Sequence, residues 1–248
     1  MSAGGVLSRV APGIYCVLRR SYFSCSYIVV RTEDIVFIDA GMRSDAGDMI
    51  HALYELSLDL PVRAVLLTHW HNDHSAGARR MQECGSKIYA APGEFPFLSG
   101  ESSQGLSGRL ADLIPEWGPL ILGKGLLGNR VMLPFQPDSS IEDGEIIERD
   151  FQVVMTPGHT AGHAAYFHLP SKTLFCGDAV AVIRGKIRFM ARPVTPDIAA
   201  ARESMQRIAA LPFETLCPGH RGPLLNVTAE QRDTLAQQVE SGRWPLFG

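Results

Sequence analysis

A layered α/β protein is predicted by three features of the sequence. Runs rich in β-branched and aromatic residues, such as CSYIVV and IVFI, alternate with segments whose apolar residues keep helical spacing. Two pairs of segments echo one another, IVFIDAG with TLFCGDA and AVLLTH with ETLCPGH, which hints at a duplicated half. In each, a buried strand delivers an Asp or a His at its C-terminal end, and strand ends are where sites form in such proteins.

In chain order, GIYCVLRR, CSYIVVRT and DIVFIDAG read as strands, with Thr32-Glu33-Asp34 making a hairpin reversal. Met49, Ile50, Leu53 and Leu56 keep helical spacing ahead of Pro61. VRAVLL is a buried strand running into THWHNDH, after which Ser75 caps a short helix through Glu83 that stops at Gly85, followed by strand KIYAA. Residues 94–140 break this rhythm and read as an inserted cap, with Leu106, Leu110, Leu113, Ile114 and Trp117 on one helical face. Strands IIERDFQVVMT, AAYFHL and TLFCGD follow, and RGK at 184–186 reads as a hairpin turn. A helix opens at Thr195-Pro196-Asp197 with Pro at its first position. Strand ETLCPG and a helix from the capping-box pattern Thr228 to Gln231, ending near Gly242, close the chain.

The 248 residues suffice for one large core, and no Pro/Gly/Ser-rich linker divides them, so 1–248 reads as a single domain. A net charge of -3 offers no basic field for a polyanion, which argues against nucleic acid. No apolar run approaches the roughly 18 residues of a membrane helix, and MSAGGVLSRVAPG does not resemble a secretory signal, so a cytoplasmic protein without a membrane partner is expected. Five cysteines, an odd number with no CxxC pair, suggest neither a disulfide framework nor a thiolate zinc site.

The chemistry concentrates in THWHNDH. His69 and His71, two apart in extended chain, point the same way and suit one metal; Asp73 and His74 diverge and face a second once the chain turns. The helical zinc motif HExxH is absent. Further donors stand where apolar strands run out beside a glycine: His159 in TPGHTAGH, Asp178 in CGDA and His220 in CPGH.

The ordered set HxHxDH, PGHTxGH, GD and GH resembles the metallo-β-lactamase-fold superfamily, over nearly the whole chain apart from the cap. The resemblance implies a four-layer αββα sandwich with two divalent metal ions at one edge, zinc in most members, with iron or manganese as alternatives. It places His69, His71 and His159 on the first ion, Asp73, His74 and His220 on the second, and Asp178 as the bridge. Asp39 and His163 would orient ligands from behind, a structural turn being the equal alternative for Asp39. The implied chemistry is hydrolysis, with a metal-bridging hydroxide attacking a carbonyl and Asp73 orienting it and passing a proton to the leaving group.

Departures narrow the branch. Asp178 stands where class B1 β-lactamases lack a bridging carboxylate, leaving β-lactam hydrolysis at most a side activity. Ala181 stands where homoserine-lactone lactonases place a tyrosine, and the GCGR-type stretch of glyoxalase II is missing. The likeness is to glyoxalase-like hydrolases, with a small-molecule thioester, ester or lactone as substrate. The cap either roofs the site or packs on the core or a homodimer partner. Phe97, Trp117, Arg184 and Arg188 are candidate substrate contacts, with a solvated hairpin as the other reading for the arginines. Two further classes stand as rivals: a mononuclear-iron persulfide dioxygenase and a non-enzymatic effector sensor.

Overall fold

The computed structural model describes residues 5–20, 22–102, 133–241 and 244. The chain divides into two compact units, Met1–Tyr89 with Phe95–Ser139 and Ala90–Glu94 with Ser140–Gly248.

The first unit is built on a sheet whose strands lie in sequence order. β1 (Val6–Ala11), β2 (Ile14–Arg19), β3 (Ser24–Val30) and β4 (Ile35–Ile38) form an antiparallel meander. β1 is an addition to the sequence prediction. Its VLSRVA run is half exposed and shows little alternation, so pairing with β2 is what makes it a strand. At the Pro12-Gly13 turn, Gly13 has φ +73° and a Cβ there would stand 2.9 Å from the Val30 carbonyl oxygen, so only glycine fits. The hairpin expected at Thr32 to Asp34 is present: the Arg31 N–H donates to the Asp34 carbonyl at 2.9 Å and its guanidinium to the Asp34 carboxylate at 2.5 Å.

Beyond β4 come α1 (Gly47–Glu55), β5 (Val62–Leu66), α2 (Asn72–Ser75), α3 (Ala78–Glu83) and β6 (Lys87–Ala90). β4, β5 and β6 are parallel, so helices must carry the chain back between them. Every residue of β4 is buried, which is why it reads as an unbroken apolar run. The first side chains free to serve a site are those just past the strand ends. Ser75 does not cap α3 as expected. It closes α2, its hydroxyl donating to the Trp70 and His71 carbonyls at 2.6 and 3.0 Å, and Gly77 takes the cap position.

Of the predicted cap, Leu106, Leu110, Leu113, Ile114 and Trp117 lie outside the described residues. α4 (Phe95–Leu98) opens the insertion, and the Phe135 N–H donates to the Leu98 carbonyl at 2.9 Å, closing its base. Its final residues belong to the sheet instead: the Asp138 N–H donates to the Ile88 carbonyl, the Ile88 N–H donates to the Asp138 carboxylate, and β7 (Ser139–Ser140) is the edge strand.

The second unit holds β8 (Ile146–Ile147), β9 (Phe151–Met155), β10 (Ala164–His168) and β11 (Thr173–Gly177), antiparallel in turn. IIERDFQVVMT is thus a hairpin rather than one strand, because Glu148 and Arg149 adopt positive φ and reverse the chain. β12 (Val180–Ile183) and β13 (Lys186–Phe189) pair across Arg184-Gly185, at φ +52° and +72°, the two left-handed residues a type I′ turn needs. α5 (Ile198–Ala210) follows, and β14 (Thr215–Pro218) adds in parallel beside β11. α6 (Ala229–Glu240) ends the described elements.

α5 buries Ala201, Ser204, Met205 and Ile208, spaced for one helical face. Met205 and Ile208 join Val154, Ala165, Leu174 and Leu216 of the sheet in one core cluster, while the Ser204 hydroxyl donates to the Pro157 carbonyl at 2.7 Å. Its cap is Asp197, whose carboxylate accepts the Ala200 N–H at 3.0 Å, so Pro196 stands ahead of the helix rather than at its first position. The capping box read at Thr228 and Gln231 is present in both directions. Among the described residues no helix is long and apolar enough to cross a membrane.

Candidate functional site

In the first unit, the ends of β4 and β5 bring Asp39 beside the histidine loop. Asp39 is buried at φ +60°, a conformation Asp tolerates better than most residues. Its carboxylate accepts the Thr68 N–H at 2.8 Å, the Thr68 hydroxyl at 2.9 to 3.0 Å, and Nδ1–H of His74 at 2.8 Å. Since the Thr68 hydroxyl proton goes to Asp39, Thr68 Oγ1 accepts from His69 Nδ1 at 3.0 Å. One carboxylate therefore sets two tautomers, directly for His74 and through Thr68 for His69, and leaves each Nε2 as a lone-pair donor. Burial raises the Asp39 pKa, while His74 and Thr68 pull it back.

His69 Nε2 stands 3.0 Å from His71 Nδ1, as expected for side chains on one side of an extended stretch. Asp73 and His74 do not diverge as the sequence suggested. They lie in the helical turn α2, with Asp73 Oδ2 3.4 Å from His74 Nε2, because a helical turn, unlike a strand, does not send neighbours to opposite faces. Trp70 stacks on Phe97, centroids 4.7 Å apart and planes at 14°, and stands edge-on to His71. The residue between the two histidines thus braces the loop, and the substrate candidate Phe97 is its partner.

In the second unit, His159 follows β9 across Pro157-Gly158. Gly158 has φ +138°, and a Cβ there would lie 2.5 Å from Ala201 Cβ, so glycine lets the loop pass against α5. His159 Nδ1–H donates to the Val194 carbonyl at 2.5 Å, which turns the Nε2 lone pair toward Asp178 Oδ2 at 3.5 Å. His220, after β14, places Nε2 3.3 Å from the same oxygen. The Asp178 N–H donates to His163 Nε2 at 3.0 Å, so His163 carries its proton on Nδ1 and donates it to Thr156 Oγ1 at 2.8 Å. Both ring nitrogens of His163 are thereby engaged in placing Asp178 and the end of β9.

Cys176, buried beside this loop, has its thiol pKa pushed well up by burial and then by the Asp178 charge, so it stays protonated and is no nucleophile. Arg184 is exposed at the hairpin tip, and Arg188 is half-buried opposite Ala181. Trp117 lies outside the described residues. Two residues escaped the sequence reading. For Thr68 the only signal is a hydroxyl just before HxH. Glu94, buried in a turn after β6, had none.

A family model for the metallo-beta-lactamase superfamily matches residues 21–220, and the chain belongs to that superfamily. The matched stretch runs through both units. The chain is 28% identical over 215 residues to the probable metallo-hydrolase YflN of Bacillus subtilis, covering 77% of each chain. It is 30% identical to the hydroxyacylglutathione hydrolase of Pectobacterium carotovorum over 77% of this chain, but spans only 59% of that relative's length. Among solved structures, the protein TTHA1623 in a di-iron-bound form is 26% identical, with a TM-score of 0.60 over 85% of this chain and 92% of that one. The metallo-β-lactamase fold expected from the ordered motifs is the fold found.

Proposed function

We propose that the protein is a dinuclear metallohydrolase acting on a small thioester, ester or lactone. His69, His71 and His159 would hold one ion, Asp73, His74 and His220 the other, and Asp178 both. The donor set fits a cation. His159 presents a lone pair, not a proton, to the Asp178 carboxylate at 3.5 Å, and two such acceptors repel unless positive charge stands between them. Imidazole and carboxylate donors of this kind suit zinc or iron, and one solved relative carries two irons.

Divalent ions supply Lewis acidity toward a carbonyl and lower the pKa of water to about 7. The chain's own residues do the rest. Asp39, through Thr68 and His74, holds two rings in the ligating tautomer. The Val194 carbonyl does the same for His159. Asp73, buried and next to His74, orients the attacking water and carries its proton to the leaving group. Trp70 and Phe97 offer an apolar wall for an acyl group. The relative named for hydroxyacylglutathione hydrolysis supports an acyl substrate. We place the protein in the cytoplasm, where its five free cysteines stay reduced.

The test pairs metal analysis of the purified protein with a panel of acyl-thioesters, lactones, aryl esters and β-lactams. Two ions per chain and turnover of an acyl-thioester or lactone are expected, with Asp178→Ala and His69→Ala each lowering it by several orders of magnitude. One iron per chain with sulfur-dependent oxygen uptake would replace this reading by the dioxygenase one. Activity surviving both substitutions would refute the site.

A further inference from the structure

The second unit contains a buried carboxylate that the proposed mechanism does not use. Glu94 is 1% exposed and closes the turn Pro92–Glu94. Its Oε1 accepts the Thr160 hydroxyl at 2.8 Å and the Gly162 N–H at 2.7 Å, reaching 66 and 68 residues along the chain. Burying a carboxylate is unfavourable unless charge-assisted hydrogen bonds compensate, as these two short ones do. The turns also interlock. A Cβ on Gly162 would stand 2.7 Å from Glu94 Oε1 and 2.9 Å from its backbone nitrogen, and one on Gly93 would stand 3.0 Å from Gly162 Cα.

The loop so gripped is the one that carries His159. Gly158 N–H donates to the Thr160 carbonyl at 3.0 Å, so His159 sits at the apex of a closed turn whose far side is held by Glu94. Its ring is held on the other side by the Val194 carbonyl. From this geometry we infer that Glu94 is a positioning residue for His159, setting the backbone from which that histidine reaches a metal ion. The inference rests on the metallohydrolase reading. A carboxylate that merely filled the core would be replaceable by an apolar residue without effect on the histidine; one that grips Thr160 and Gly162 would not.

The experiment compares Glu94→Ala, Glu94→Gln and Thr160→Val with the wild type by chelator-competition titration of zinc and by amide exchange of Gly162 in the metal-free protein. Glu94→Ala is expected to weaken the more sensitive zinc ion about ten- to a hundredfold and to speed Gly162 exchange. Glu94→Gln, which keeps an accepting oxygen, should restore most of both, a rescue that a need for negative charge alone would not show. Thr160→Val, which removes the donated hydroxyl at nearly constant volume, should weaken zinc as well, which a need for bulk at Glu94 alone would not show. Wild-type affinity in Glu94→Ala overturns the inference, as does Glu94→Gln behaving like Glu94→Ala. Should Glu94→Ala not fold, Thr160→Val decides: weaker zinc binding in a folded protein supports the inference and unchanged binding overturns it. Wild-type protein that takes up no ion would overturn the metallohydrolase reading and this inference with it; normal wild-type loading with unaltered variants would overturn this inference alone.

Discussion

Asp39 is the residue on which most of the first unit's histidine geometry converges. It accepts three hydrogen bonds, and two of them set ring tautomers. Asn in its place keeps the tolerance for positive φ and much of the shape, yet removes the charge that draws the His74 and Thr68 protons. Asp39→Asn is expected to fold and melt close to the wild type while losing about ten- to a hundredfold in zinc affinity. Chelator competition alongside a thermal melt checks this. A large drop in melting temperature with normal zinc affinity would instead make Asp39 a structural turn, the alternative its sequence context left open.

Elements decide where the proposed ligands stand. In both units a strand buried along its length runs out, and the next residues turn sharply into a polar loop. Gly158, in the loop after β9, shows how tight such a turn can be. Its φ of +138° strains any other residue, and the Ala201 backbone nitrogen lies 2.7 Å from where a Cβ would sit. Gly158→Ala is therefore expected to destabilise the protein by about 2–4 kcal/mol, backbone strain and overpacking together. Urea unfolding measures it, and a cost below about 1 kcal/mol would mean that α5 yields to the loop without strain. The elements also show where short-range reading fails. IIERDFQVVMT has strand-forming residues on both sides of Glu148-Arg149, so composition favoured one strand, but the chain reverses there to pair with itself. The neighbours of Ser75 suit a cap, but α2 uses its hydroxyl.

For the whole molecule, the proposed ligands span residues 69 to 220. An unfolded chain does not gather them, so divalent ions should bind the folded state preferentially and stabilise it. Ligand at a thousandfold over its dissociation constant stabilises by about 4 kcal/mol. Removing metal with a chelator is expected to lower the melting temperature by several degrees and adding zinc back to restore it. A melting curve indifferent to both would mean that no ion is held by the native fold.

The sequence by itself determined the family and the α/β class, and it supplied the His and Asp residues proposed as ligands. Those signals are local: a strand's apolar run, a glycine, and a donor within a few positions of it. Only the tertiary structure decided what stands behind the donors. The Asp39 carboxylate meets Thr68 and His74 from 29 and 35 residues away, Val194 meets His159 from 35, and Glu94 meets Gly162 from 68. A hydrogen bond depends on distance and direction in space, and separations of that length leave neither legible until the chain has folded.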